Sequence, residues 1–147
     1  RLELSENMLG RMEGLTERML AYAGKMAAPK TQIELGALLR ADEPLLRAVA
    51  GPRIRLRLDL ATTPLPLMAS APEIEQVLFN LVHNAVDAIG EAGGQIALRT
   101  GEMQRAEIRE SLLAWPLGKG QRFAMLAVRD SGSGMDADAL RRMFEPF

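Results

Sequence analysis

One segment of this chain restricts the fold more than any other, and it is the helix predicted over residues 72–89. Ser70 and Glu73 match a capping box at its start, and Gly90 marks its end. One side of this helix is broadly apolar, at Ile74, Val77, Leu78, Leu81, Val82, Ala85 and Ile89. A helix with such a face must bury it against another layer of structure.

Two strong strand patterns supply that layer. Residues 53–60 alternate strictly, with leucine and isoleucine on one side and three arginines and Asp59 on the other. The arginine side is compatible with a phosphate-binding patch, although a solvated strand face is the preferred interpretation. Residues 122–129 form the second strong strand.

The remaining elements complete an α+β pattern. We predict short strands over residues 32–35 and 65–68, a strand over 95–100, a helix over 37–50 kinked at Pro44, and a short helix over 136–143. Residues 101–121 are expected to form a long excursion. The predicted fold is a two-layer sandwich, with a mixed sheet carrying helices on one face.

A heptad pattern precedes this domain. Its apolar positions are Leu4, Met8, Met12, Leu15, Met19, Tyr22 and Met26, and Pro29 ends the helix. One helix cannot bury such a stripe alone, so residues 1–28 are expected to pair with a second copy in a homodimer. Because Arg1 opens in mid-helix without an initiator Met, the sequence is expected to be a fragment.

Composition excludes several classes of protein. Charged residues make up 25 % of the chain and nearly cancel to a net charge of −1, which argues against a nucleic-acid partner. The absence of cysteine excludes disulfides and thiolate metal sites, and it favours a reducing, cytoplasmic location. No apolar run is long enough to span a bilayer, so no membrane contact is expected from this segment.

A polar stripe on the helix over residues 72–89 is the first candidate site. Asn80, Asn84 and Asp87 follow one another at spacings of four and three residues, so they share one side. Asparagine is a poor interior helix former, which makes a pair one turn apart unusual. The stripe is either a solvated surface or a pair of amide oxygens available to a hard cation such as Mg²⁺.

Two further motifs lie towards the end of the chain. Residues 130–134 read Asp-Ser-Gly-Ser-Gly directly after a strand, where glycines permit a close approach of the backbone to a ligand. The Asp130 carboxylate accepts hydrogen bonds only, so it would select a ligand with an amino group. Residues 144–147 read Phe-Glu-Pro-Phe, which alone suggests a helix end with two buried aromatic side chains.

In this order, the three motifs resemble those of the ATP-binding domain of sensor histidine kinases. Residues 80–85 are similar to the N box of that family, residues 130–134 to its G1 box and residues 144–147 to its F box. The resemblance covers residues 31–147, which form the expected ATP-binding domain. Residues 1–28 are similar to the second helix of the dimerisation domain, and the excursion resembles that of nitrogen-regulation and oxygen-sensing kinases.

The resemblance implies roles for individual residues. Asn84 would ligate Mg²⁺, and Asn80 would lie beside the phosphates or the metal. Asp130 would bind the adenine amine of ATP, while Gly132 and Gly134 would let the loop lie against the nucleotide.

The other positions are assigned more simply. Phe144 and Phe147 would anchor the base of a flexible lid, and Asp87 would play a supporting part. His83 is interpreted as a surface histidine, because the phosphoacceptor of the family lies on the first dimerisation helix, which this sequence lacks.

The implied activity is transfer of the γ-phosphoryl group of ATP to a histidine, with a response regulator receiver domain or a phosphotransfer protein as the partner. The sequence also stops before the glycine-rich G2 box, so the fragment is not expected to be active alone. One alternative is an ATP-hydrolysing relative, although Asn80 stands where those enzymes carry a glutamate base. The other alternative is a non-catalytic docking module.

Overall fold

The computed structural model describes residues 29–109 and 116–134. In chain order the elements are β1 (Thr31–Glu34), α1 (Leu35–Ala50), β2 (Ile54–Asp59), β3 (Pro66–Ala69), α2 (Ala71–Ile89), β4 (Gly94–Gln104), a 3₁₀ turn (Arg105–Glu107) and β5 (Arg122–Asp130). The predicted N-terminal helix over residues 1–28 and the helix over residues 136–143 lie outside the described residues, as do Phe144 and Phe147.

The strands form two sheets. In the three-stranded sheet β4 is central, with β2 parallel to it on one side and β5 antiparallel on the other. β1 and β3 form a separate antiparallel pair. The mixed sheet and the α+β class predicted from the sequence are confirmed.

One apolar core joins both helices to one face of the larger sheet. Its fully buried side chains, with 0 % exposure, come from α1 (Leu39, Leu46), α2 (Leu78, Val82) and β4 (Ile96, Leu98). Leu56 is in register with Ile96, and Val128 with Leu98, so the inward residues of all three strands share this face. Burial of each large apolar side chain stabilises the fold by about 1.5–3 kcal/mol.

The caps of α2 agree with the sequence pattern. The Ser70 hydroxyl accepts a hydrogen bond from the Glu73 N–H at 3.4 Å, and Pro72 lies in the first turn. Gly90 ends the helix with a φ of 71°, a left-handed conformation that favours glycine. The apolar face is narrower than predicted, because Val77 is 51 % exposed.

The start of α1 differs from the prediction. The helix begins at Leu35 rather than residue 37, because the Glu34 carboxylate caps it. That carboxylate accepts hydrogen bonds from the N–H groups of Gly36 at 3.0 Å, Ala37 at 2.6 Å and Leu65 at 3.1 Å. The same backbone donors, Leu65 first, hold the pKa of Glu34 below its ordinary value. Glu34 therefore connects β1, α1 and the segment before β3.

The connection between the last two strands is shorter than the predicted excursion over residues 101–121. β4 continues to Gln104 and pairs with β5 down to Arg122, so residues 101–104 and residue 122 belong to one long hairpin. Near the far end of this hairpin, Glu102 and Arg122 form an ion pair at 2.6 Å. The connection between the strands is thus residues 105–121.

Candidate functional site

The loop that follows β5 lies where two other elements end or begin. On one side it contacts the first residues of β4. On the other it contacts the last turn of α2. These contacts bring the Asp-Ser-Gly-Ser-Gly motif next to the helix that carries the asparagine stripe.

Gly132 is the point of contact with α2. A Cβ atom at this position would lie 2.6 Å from both the carbonyl carbon and the carbonyl oxygen of Ala88. The next residue of the loop, Ser133, donates its N–H to the same Ala88 oxygen at 3.4 Å. The close approach at Gly132 is therefore to the helix, which is a different reason for glycine from the nucleotide contact expected from the sequence.

Gly134 requires glycine for another reason. Its φ is 77°, and no heavy atom of residues 29–109 and 116–134 lies within 4 Å of the place that a Cβ would take. A side chain there would have room, but the left-handed backbone would disfavour it. The two glycines of the motif thus meet separate demands, one steric and one conformational.

Asp130 is the last residue of β5 and points to the helix side of the sheet. It is in register with the buried Ile96, and its side chain is half-buried. Its Oδ1 atom accepts a hydrogen bond from the Gly132 N–H at 2.8 Å. Because a carboxylate has acceptor positions on both oxygens, this bond leaves capacity for a ligand donor.

The apolar residues of β5 before Asp130 are divided between the two faces of the sheet. Leu126 and Val128 pack against the core on the same face as Asp130, whereas Phe123 and Met125 belong to the opposite face by register. Asp130 consequently lies at the edge of the core rather than inside it.

The polar stripe on α2 is open to solvent. Asn80 is half-buried, while Asn84 and Asp87 are exposed, as is His83 beside them. Asn84 precedes Ala88 by one turn, so the stripe leads to the place where the loop contacts the helix. The loop after Asp130 therefore contacts the helix that carries Asn80, Asn84 and Asp87, one turn beyond Asn84.

The donor set suits a metal that arrives with its own ligands. Within residues 29–109 and 116–134, no group of three or more histidine, cysteine, aspartate or glutamate side chains is arranged to hold a metal ion. An exposed asparagine oxygen can instead supply one ligand to Mg²⁺, which commonly keeps waters and phosphate oxygens as its other ligands. Asn84 fits that role.

Two residues of this region were missed from the sequence. Ser131 donates its N–H to the Gln95 carbonyl at 3.1 Å, and its hydroxyl accepts the Gln95 N–H at 2.9 Å. A Cβ at Gly94 would lie 2.3 Å from that hydroxyl. The only available signals were a glycine pair before β4 and a serine inside the motif, and neither indicates the other.

The arginines at and just before β2 were the other candidate for binding phosphate. Arg53, Arg55 and Arg57 are exposed, in agreement with a solvated strand face. In the described parts of the chain, neither helix has the length and apolar character needed to cross a membrane.

Comparison with known proteins identifies the family of this chain. Residues 69–147 match the family described as histidine kinase-, DNA gyrase B-, and HSP90-like ATPase. Sensor kinase CckA of Brucella abortus is 33 % identical over 137 residues, which is 93 % of this chain and 14 % of the relative. Sensory histidine kinase/phosphatase NtrB of Rhizobium meliloti is 28 % identical over 141 residues, 93 % of this chain and 35 % of the relative.

The chain thus spans about a third or less of the length of these relatives. A solved structure, the nucleotide-free catalytic domain of histidine kinase ThkA, has the same fold with a TM-score of 0.55 at 23 % identity, covering 82 % of this chain and 70 % of that one. The resemblance to the ATP-binding domain of sensor histidine kinases is confirmed. Because the family match covers more than half of its residues, the chain belongs to the histidine kinase-, DNA gyrase B- and HSP90-like ATPases.

Proposed function

We propose that this domain binds ATP with Mg²⁺ and presents the γ-phosphoryl group for transfer to a histidine. One observation carries the proposal: the loop of Asp130 is packed against the helix of Asn84 through Gly132 and Ala88. This packing holds the loop with a carboxylate suited to the adenine amine against the helix with an amide oxygen suited to Mg²⁺.

The roles of the residues follow from their chemistry. Asp130 accepts a hydrogen bond from the adenine amine, and Asn84 supplies one oxygen ligand to Mg²⁺. Asn80 lies one turn before Asn84, beside the phosphates, and Asp87 supports the same surface. Phe144 and Phe147 would anchor the base of the lid, which follows Gly134 in the sequence.

In the proposed reaction, a histidine nitrogen attacks the γ-phosphorus, the bond to the bridging oxygen breaks, and ADP leaves. Such transfer depends on positioning and on neutralising charge rather than on a protein base that activates water. That requirement distinguishes a kinase from a hydrolase of the same family. Asn80 occupies the place where the hydrolases carry a glutamate, and an amide cannot take a proton from water at neutral pH.

The acceptor and the partners belong to the rest of the assembly. Residues 1–28 would pair two copies of the protein, and the phosphorylated histidine would pass its phosphoryl group to a receiver domain or a phosphotransfer protein. A non-catalytic docking module is the alternative. The intact Asp130, Gly132 and Asn84 favour nucleotide binding over that alternative.

The decisive experiment is calorimetric titration of the complete ATP-binding domain, including the lid and the G2 box, with ATP in the presence of Mg²⁺ or of a chelator. Asn84→Ala should weaken binding about tenfold with Mg²⁺, the scale of one charge-assisted interaction, and much less with the chelator. His83→Ala is the matched control, because His83 is an exposed neighbour on the same helix outside the stripe. An equal loss in both conditions would show that Asn84 acts structurally.

The type of reaction is tested separately with ATP labelled on the γ-phosphate and a histidine-bearing dimerisation domain as the acceptor. Label on histidine supports the kinase. Label released only as inorganic phosphate would support the hydrolase, and no ATP binding at all would support the docking module.

A further inference from the structure

We infer that Ser131 is a positioning residue for nucleobase recognition, acting through its hydroxyl on the loop that carries Asp130. The inference rests on the proposed function, since it concerns how the same site selects its base. It starts from the hydrogen bonds between the end of β5 and the beginning of β4.

The antiparallel pairing of β4 with β5 departs from regular backbone hydrogen bonding at Ser131. Up to Asp130 the two strands are paired through the backbone, in register from Gln104 with Arg122 to Ile96 with Asp130. The next pair would be Gln95 with Ser131, and a regular ladder would exchange two backbone hydrogen bonds there. Only one of these two hydrogen bonds joins two backbone atoms: the Ser131 N–H donates to the Gln95 carbonyl at 3.1 Å.

The second bond of that pair uses the side chain. The Gln95 N–H donates at 2.9 Å to the Ser131 hydroxyl, which takes the place of the Ser131 carbonyl. The carbonyl is consequently not required by the sheet, and the chain can turn away from β4. Short polar side chains that replace backbone acceptors in this manner are a common means of ending regular structure.

The turn leads directly to the contact with α2. One residue later, Gly132 packs against the Ala88 carbonyl and donates its own N–H to Asp130 Oδ1 at 2.8 Å. The orientation of the Asp130 carboxylate therefore depends on where Gly132 lies, and the Ser131 hydroxyl sets that position relative to the sheet.

Gly94 provides the space for this arrangement. A Cβ on Gly94 would lie 2.3 Å from the Ser131 hydroxyl and 3.2 Å from Ile89. A side chain on Gly94 would therefore displace the Ser131 hydroxyl from the Gln95 N–H. Gly94→Ala and Ser131→Ala thus remove the same hydrogen bond from opposite sides.

The matched control is a second hydroxyl, which lies on the neighbouring strand β4. Thr100 Oγ1 accepts the Ala61 N–H at 3.0 Å, which is the same kind of bond at nearly the same length. Thr100 is 4 % exposed and pairs with Leu126 in the ladder, four positions away from Asp130. Thr100→Val removes that hydroxyl at constant shape, so it reports the general cost of losing such a bond.

The test measures ADP and GDP affinity by calorimetry for the wild type and the variants. Ser131→Ala and Gly94→Ala should each lower ADP affinity about five- to tenfold and reduce the preference for ADP over GDP by a similar factor. Ser131→Thr, which keeps the hydroxyl, should restore the preference. Thr100→Val should lower the unfolding midpoint but leave the preference unchanged.

Three results would overturn the inference. An unchanged base preference in Ser131→Ala removes Ser131 from recognition while leaving the proposed function intact. A loss of preference in Thr100→Val equal to that of Ser131→Ala would show a general effect of stability. A wild type that does not prefer ADP would overturn the proposed function itself, and this inference with it.

Discussion

Replacement of Gly132 by alanine should separate the loop from the helix. The added Cβ would lie 2.6 Å from the carbonyl carbon and oxygen of Ala88 and 2.8 Å from Asp130 Oδ1. Ordinary contacts of this kind are about 3.5–4.0 Å. Loop and helix must therefore move apart by roughly 1 Å, because the atoms in the way are mostly backbone.

The cost follows from two losses. Forcing an extra methyl group into a packed contact costs about 1–3 kcal/mol. The hydrogen bond from Ser133 N–H to the Ala88 oxygen is already 3.4 Å long and would be lost, which adds about 0.5–1.5 kcal/mol. We expect Gly132→Ala to lower the free energy of unfolding by about 1.5–4.5 kcal/mol.

Gly134→Ala is the matched comparison within the same loop. Its Cβ would meet no atom of the described residues within 4 Å, but its φ of 77° is unfavourable for alanine. The expected cost is about 1 kcal/mol, from the left-handed conformation less the entropy that alanine removes from the unfolded chain. Urea denaturation followed by circular dichroism measures both variants. A cost at Gly132 no larger than that at Gly134 would refute the packing argument.

Three further predictions concern other parts of the chain. Asp130→Ala should weaken ATP and ADP binding alike by about 1.5–3 kcal/mol in calorimetry, and GTP should bind poorly to the wild type; normal ADP binding by the variant would remove adenine recognition. Met12→Glu with Leu15→Glu should abolish a dimer seen by sedimentation, and a wild type that stays monomeric at high concentration would contradict the heptad interpretation. The N–H groups of Leu65, Ala37 and Gly36 hold the pKa of Glu34 in the folded protein below its ordinary 4.5. The ionised Glu34 therefore stabilises the fold fully above pH 4.5, and this stabilisation is lost as the pH falls through the folded-state pKa. Glu34→Gln should flatten this acid limb in denaturation measured from pH 6 to pH 3, and an unchanged slope would show that the carboxylate does not contribute.

The helices and strands could be predicted where one physical requirement dominates. The α2 helix combines an apolar face with a capping serine and a terminal glycine, and the alternation of β2 allows only one exposed side. Boundaries were less accurate where a side chain from outside the pattern decides them. Glu34 advances the start of α1, although glutamate is not a preferred cap residue.

The elements that carry the candidate residues could be predicted from the sequence, but the contacts between those elements could not. The spacing of Asn80, Asn84 and Asp87 places them on one side of a helix, whatever the rest of the fold. The packing of Gly132 on Ala88 joins residues 44 positions apart in the sequence, and local pattern contains no information on such a pair. Ser131 and Gln95 are likewise 36 residues apart, so their hydrogen bonds became visible only in three dimensions.

The length of the β4–β5 hairpin has a consequence for tolerance to inserted residues. Strand β5 has nine residues, so the connection between the strands leaves the sheet about 27 Å from Asp130. The base of that connection is closed by Arg105, which donates to the carbonyls of Gly118 and Gly120 and lies 5.8 Å from the centre of the Phe123 ring. Doubling a flexible loop adds only about 0.6 kcal/mol of closure entropy. Extra sequence inserted next to Pro116, even a small reporter domain, is therefore expected to leave the geometry around Asp130 unaltered.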